Sequence, residues 1–180
     1  MKTLLKFAAP LTVALLPLAA SPAMAGASYP SGGPPTALSA AQVTEITARL
    51  TKLGASSATA ATVIGQINTI LADAAKLRTD TKGSAAFTAD AAKLKADARA
   101  AQTSVLGILG ATSAQITTYF SAIDAEVAAF AALKAAPKGS ATYTAALAAL
   151  KAADAATRSA IAALPKGALR ALDHLGWDFD

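Results

Sequence analysis

Apolar side chains recur along this chain at alternating steps of four and three residues. One long segment shows the pattern clearly, with apolar positions at Phe87, Ala91, Leu94, Ala98, Ala101, Val105 and Ile108. Residues at this spacing share one face of an α-helix, and a period near 3.5 is typical of helices that pack side by side at about 20°. The neighbouring segments have the same period, so the pattern predicts long amphipathic helices and no strand.

Glycines divide this pattern at nearly regular intervals. They are Gly54, Gly83, Gly110, Gly139 and Gly167, and each interval has room for one helix and its turn. Ser39 with Gln42 and Thr112 with Gln115 match the capping box that begins a helix. We therefore predict that each helix ends at a glycine in the left-handed conformation. The predicted helices span about 38–53, 57–79, 85–108, 112–136 and 141–164, with a short one near 167–175.

Two stretches of the chain repeat each other in register, at one fixed offset. Leu53–Ala58 recurs as Leu109–Ala114, and Lys82–Ala89 recurs as Lys138–Ala145. A fixed offset across several matches indicates internal duplication rather than chance similarity in an alanine-rich chain.

The predicted fold class is all-α, built on a duplicated helical hairpin of 56 residues, with repeats at 53–108 and 109–164. We expect a closed up-and-down bundle of four long helices plus a shorter first helix and a short C-terminal helix. A superhelical stack of hairpins is the alternative. Such stacks usually have shorter repeats, and two copies are too few to stack.

The first residues are typical of an export signal. Two lysines accompany an apolar run, and Ala23–Ala25 offers small side chains for cleavage. We expect a signal peptide at 1–25, a flexible Pro/Gly/Ser-rich lead-in at 26–37 and a single Ala-rich helical bundle at 38–180. The mature protein would then be periplasmic or extracellular. A retained anchor is less favoured, because the run contains two prolines and is shorter than the roughly 20 residues of a spanning helix.

The composition excludes several kinds of functional site. The chain has no cysteine, and therefore no disulfide, zinc–thiolate or iron–sulfur site. Its net charge of +5 falls to +3 without the two signal lysines, and its bases are interspersed with acids, so we expect no nucleic-acid partner. Carboxylates at 73, 80, 90, 97, 124, 126 and 154 fall where outward faces are expected. We predict no enzyme activity, no catalytic residue, no cofactor and no metal.

The single histidine, His174, follows Asp173 near the C-terminus. One imidazole among carboxylates could hold a divalent cation, or Asp173 could orient the imidazole as a general base. We favour a short amphipathic helix docked on the bundle, because adjacent residues point to different helix faces. Beyond it, Trp177 and Phe179 form a hydrophobic clamp, either folded back on the bundle or offered to a partner.

One stretch of the second repeat carries very little charge. From Val127 to Leu150 the only charged residues are Lys134 and Lys138, whereas 71–94 in the first repeat holds seven. Burial of this hairpin on more sides, at the centre of the bundle, is the favoured explanation. The alternative is an exposed apolar patch that binds a partner, another copy or lipid. Its contact residues would be Tyr119, Phe120, Phe130 and Tyr143, with Trp177 and Phe179 from the tail.

These features predict an exported, non-enzymatic helical-bundle protein. It would act in the cell envelope by protein binding, self-association or structure. The alternative function is a carrier or surface binder of apolar ligands or lipid through the low-charge second hairpin, with peripheral lipid contact. The residues identify no particular partner.

The tail provides a test of the non-catalytic interpretation. We expect His174→Ala to leave helix content and binding activity nearly intact, because the imidazole has no partner at a fixed helical spacing. Native mass spectrometry is the check. A tightly bound, stoichiometric metal that disappears on this substitution would contradict the interpretation.

Overall fold

The computed structural model describes residues 35–174, except for the side chains of Asp173 and His174. Within that part of the chain there are six α-helices and no strand. They are α1 (Ala40–Lys52), α2 (Ser57–Thr79), α3 (Ala85–Ile108), α4 (Ser113–Ala135), α5 (Ala141–Ala163) and α6 (Ala168–His174). The prediction of an all-α bundle with four long helices is confirmed, and the bounds agree to within two residues. The expected signal peptide lies outside the described residues.

Helices begin where a hydroxyl or amide side chain satisfies the free backbone N–H groups of the first turn. Both predicted capping boxes are present. The Gln42 side chain accepts from the Ser39 N–H at 2.8 Å, and the Gln115 side chain accepts from the Thr112 N–H at 2.8 Å. The other three long helices use a single serine, with the residue three positions later donating its N–H to the hydroxyl.

Helix ends follow two designs rather than the single one predicted. After α1 and α3, the residue two positions past the helix cap donates back to the last turn: Ala55 N–H to the Leu50 carbonyl, and Ala111 N–H to the Leu106 carbonyl, both at 3.0 Å. This is the Schellman motif, and it requires the positive φ that Gly54 and Gly110 adopt.

The other three breaker glycines do not end helices, which corrects the prediction for them. They have positive φ in the third position of a turn that leads into the next helix. In each turn the fourth residue donates to the carbonyl of the first, for example Ser84 N–H to Thr81 at 3.0 Å and Ser140 N–H to Pro137 at 3.1 Å. The preceding helices end earlier, in an extended cap residue.

From α1 to α5, consecutive helices run up and down and each contacts the next. The most extensive contact joins α4 to α5, followed by α2 with α3 and then α1 with α2. Contact between α3 and α4 is much slighter, so the molecule consists of two hairpins, α2–α3 and α4–α5, joined side by side. Helix α6 packs on α3, and the Leu38 N–H donates to Asn68 Oδ1 on α2 at 2.8 Å.

The hydrophobic core occupies one end of the molecule, which we call the base. It surrounds the turns at Gly54 and Gly110 and includes the fully buried side chains of Leu50, Leu106 and Leu172. No residue from 72 to 93, and none from 127 to 150, is buried. We call these stretches the first tip and the second tip. Each is the far end of a hairpin, where two helices pack only on one another.

The two hairpins have equivalent helix positions. Helices α2 and α4 are equal in length and begin at Ser57 and Ser113, while α3 and α5 begin at Ala85 and Ala141. Both pairs of starting points are separated by the offset of the sequence repeat. Equivalent geometry is what duplication would produce, and duplication itself stays a prediction. The offset is useful in either case, because it gives each position of one hairpin a matched position in the other.

Because the core is confined to the base, matched leucines of the two hairpins should differ in their contribution to stability. Leu94 is 3% exposed in the core, while Leu150, its matched residue, is half-buried and does not pack on the core. We expect Leu94→Ala to lower the free energy of unfolding by about 2 to 4 kcal/mol, through lost burial and a residual cavity. Leu150→Ala should cost about 1 kcal/mol, as expected for partial burial. Denaturant unfolding measures both, and equal losses would mean that the second tip is packed as tightly as the base.

Candidate contact surface on the second hairpin

Two ion pairs connect the two helices of the first tip. Lys76 on α2 contacts Asp90 on α3 at 2.9 Å, and Lys93 on α3 contacts Asp73 on α2 at 2.6 Å. The hydrogen bond from Lys76 lowers the pKa of Asp90, and hydrogen bonds to Asp73 and then Asp97 raise the pKa of Lys93. Four of the seven charged side chains of the first tip are therefore compensated by one another.

The second tip has alanine at every matched position of these pairs. Lys76 and Asp90 correspond to Ala132 and Ala146, and the pair of Asp73 with Lys93 corresponds to Ala129 and Ala149. Each alanine has the same degree of exposure as its charged counterpart: half-buried at 129 and 146, exposed at 132 and 149. Deeper burial therefore does not explain the missing charges, contrary to the favoured sequence interpretation. The exposed surface here is made of methyl groups.

Larger apolar side chains lie along the seam of the second tip. Phe130 stands where the first hairpin has Ala74, and Leu147 stands where it has Ala91. Both are half-buried, as are the other large apolar residues of the tip, which are Val127, Leu133, Tyr143 and Leu150. The half-buried apolar side chains that pack on the core include Ala74 and Leu77 of the first tip but none of these six. The second tip is thus an apolar element that stands clear of the core.

The structure divides the four predicted contact residues that it describes into three groups. Phe130 and Tyr143 lie on the second tip, half-buried. Phe120 is half-buried nearer the base, 5.2 Å from the Tyr119 ring and 5.0 Å from the Arg99 guanidinium, measured to ring centroids. Tyr119 is 2% exposed in the core, so it is removed from the contact surface. Trp177 and Phe179 lie outside the described residues.

Two of the acids expected on outward faces are buried instead. Glu126 is 2% exposed and Asp154 is 8% exposed. Arg158 holds Asp154 through two hydrogen bonds of 2.5 and 3.3 Å. The heptad spacing could have predicted that both acids face inward. Glu126 follows Tyr119 by seven residues and Asp154 precedes Ile161 by seven, so each acid lies on the same helix face as an apolar residue. No acid lies between Glu126 and Asp154 in the sequence, so the surface between them has lysines as its only charges.

An ion-pair cluster joins the two hairpins above the base, and sequence analysis did not find it. Asp124 on α4 accepts hydrogen bonds from Arg99 at 2.6 Å and from Lys95 at 2.8 Å, both on α3. Arg99 and then Lys95 lower the pKa of Asp124 to about 2. The partners lie on different hairpins, far apart in the chain, so no local spacing rule brings them together. The second tip begins just beyond this cluster.

Helix α4 is unusually apolar for a helix that is so little covered. Within residues 35–174 it is the one helix whose length and composition would allow it to cross a membrane. Only 22% of its most apolar stretch is buried inside the structure. A core helix of the same composition would be mostly buried.

The described residues contain no group of three or more His, Cys, Asp or Glu side chains placed to hold a metal ion. The side chains of Asp173 and His174 are outside this description, so their interpretation stays a prediction. No protein-family model matches the chain, and searches of curated proteins and of solved structures find no match.

The Asp124 cluster generates a pH prediction. A carboxyl whose pKa is lowered in the folded state stabilises the fold above its unfolded pKa of about 4, and the contribution is lost as the pH falls towards 2. Asp124→Asn should therefore lower stability at neutral pH by less than about 1 kcal/mol, as is usual for exposed pairs. It should also flatten the loss of stability between about pH 4 and pH 2. Denaturant unfolding across that range is the measurement, and superimposable acid profiles would show that the cluster contributes nothing.

Proposed function

We propose that this chain is an exported, non-enzymatic binding protein of the cell envelope, and that the second tip is its contact surface. The proposal of export rests on the positive, apolar and small-residue order of the segment 1–25. The proposal of binding rests on the second hairpin.

The observation that carries the binding proposal is the matched comparison of the two tips. At positions of equal exposure, the first tip has paired charges and the second tip has alanine. Soluble proteins rarely leave a contiguous apolar surface without a use for it. Association would cover the methyl surface and the half-buried seam residues beside it, and the first hairpin would remain a solvated arm.

A lipid surface is the second candidate for what the tip contacts. The specific observation in its favour is the apolar composition of α4 together with its low burial. A protein partner and a lipid surface would both retain the chain in the envelope, so retention is the property to measure first.

Retention can be tested with two alanines in nearly identical surroundings. Ala148 on the second tip and Ala92 on the first are both exposed, and both have threonine four residues before and lysine three residues after. We expect Ala148→Glu to release the protein from the envelope fraction of cells that express the full chain, because the new charge would have to be desolvated on association. Ala92→Glu should be retained like the natural chain. Immunoblots of envelope and soluble fractions give the comparison.

Circular dichroism of the two purified variants serves as the fold control, and both should keep the natural helix content because both positions are exposed. Equal retention of the two variants would contradict the second tip as the contact surface. A natural chain found wholly in the cytoplasmic fraction would contradict export.

A further inference from the structure

We infer that the second tip docks on the surface of an anionic lipid bilayer, with its lysines at the level of the lipid phosphates. This inference rests on the proposed function and names the partner of the same surface. Its three supports are the charge of the tip, the apolar character of α4 and the length of the apolar segment.

The charge of the second tip has one sign. Lys134 lies in the last turn of α4, Lys138 lies in the turn between α4 and α5, and Lys151 is exposed one residue below the tip. The nearest acids along the chain, Glu126 and Asp154, are buried. An approaching surface therefore meets ammonium groups, methyl groups and the hydroxyls of Thr142 and Thr144, but no exposed carboxylate. Basic residues near an apolar face are what attracts a protein segment to anionic lipid.

The same charge disfavours a second copy of the chain as the occupant. Two second tips brought face to face would place like charges together, and neither tip has an acid to pair with them. Like-charge juxtaposition opposes association. The first tip does contain acids, but two of its three, Asp73 and Asp90, already pair with its own lysines.

The length of the apolar segment sets the docking geometry. The α4 part of the second tip, residues 127–135, is roughly 14 Å long at about 1.5 Å per residue. A bilayer has a hydrocarbon core of about 30 Å, so the tip is too short to span it. Insertion end-on would also carry Lys134 and Lys138 towards the bilayer centre, which is strongly unfavourable. The hairpin therefore lies along the interface, with apolar side chains directed to the acyl chains and lysines in the headgroup layer.

Because the chain has no cysteine, a single introduced cysteine can report on each tip separately. We would attach an environment-sensitive NBD fluorophore at Ala148→Cys and, as the matched control, at Ala92→Cys, both in the otherwise full chain. Vesicles of equal parts phosphatidylglycerol and phosphatidylcholine are compared with vesicles of phosphatidylcholine alone. This local signal is insensitive to lipid contacts made by other parts of the chain.

The expected result is a blue shift and a several-fold rise in NBD emission at position 148 with the anionic vesicles only, and no change at position 92. A response at 148 in both kinds of vesicle would overturn the role of the lysines. Equal responses at 148 and 92 would overturn the assignment to the second tip. No response at 148 would overturn the lipid inference altogether.

A second measurement tests the lysines directly. We expect Lys134→Gln combined with Lys138→Gln to weaken anionic-vesicle binding at the 148 label by roughly twenty- to thirtyfold, from the roughly fivefold that each basic residue contributes near such a surface. The matched control is Arg78→Gln combined with Lys82→Gln on the first tip, which should leave the affinity unchanged. Equal affinities for the two double variants would contradict the inference.

These outcomes are independent of the retention experiment. If Ala148→Glu releases the protein from the envelope while the label at 148 ignores vesicles, the surface binds a protein. The lipid inference would then be wrong and the proposed function would stand. If retention does not depend on the second tip, the proposed function itself is wrong.

Discussion

A helix can bury its apolar seam completely only where neighbours cover it from more than one side, and the rest of this structure depends on that constraint. At the base, α1, α6 and both hairpins meet, and the side chains of Leu50, Leu106 and Leu172 are fully buried there. Towards the tips each helix keeps a single neighbour, and no residue is buried. Stability is therefore concentrated at the base, and the tips depend on contacts within their own hairpin.

The two tips hold their helices together by different interactions. The first tip uses ion pairs across the seam, such as Lys76 with Asp90, and its surface is consequently polar. The second tip has larger apolar side chains, such as Phe130 and Leu147, where the first has alanine. Hydrophobic contact along the seam needs no surface charges, so alanine at the outer positions is compatible with a stable hairpin. The result is an apolar, weakly cationic surface far from the core.

The region between base and second tip is chemically distinct from both. Asp124 links α4 to Arg99 and Lys95 of α3, and the Arg99 guanidinium also lies over the Phe120 ring. Just beyond this cluster, Glu126 and Asp154 turn inward. Acidic groups are thus used for internal contacts or ion pairs, and only basic groups remain for the outer surface of the second tip. This distribution gives the proposed contact surface its positive charge.

Local sequence determined the helices and their turns. Helix bounds, capping boxes and the positions of positive φ follow from short-range chemistry, since a cap at Thr112 or a glycine at Gly110 acts within a few residues. The charge asymmetry between the two hairpins was also visible in the sequence. The sequence did not show whether the low-charge hairpin is buried or exposed, because few charges are expected both at the centre of a bundle and on an exposed patch.

Tertiary structure decided where the two hairpins meet, and with it which seam residues are covered. Tyr119 and Phe120 are neighbours in sequence, yet the first belongs to the core and the second is half-buried beneath Arg99. Asp154 carries a charge and is buried, while Leu150 is apolar and remains half-exposed. Helical periodicity assigns each residue to a face, but burial depends on whether another helix covers that face. That depends on contacts between residues far apart in the chain, such as Arg99 with Asp124, which no local pattern specifies.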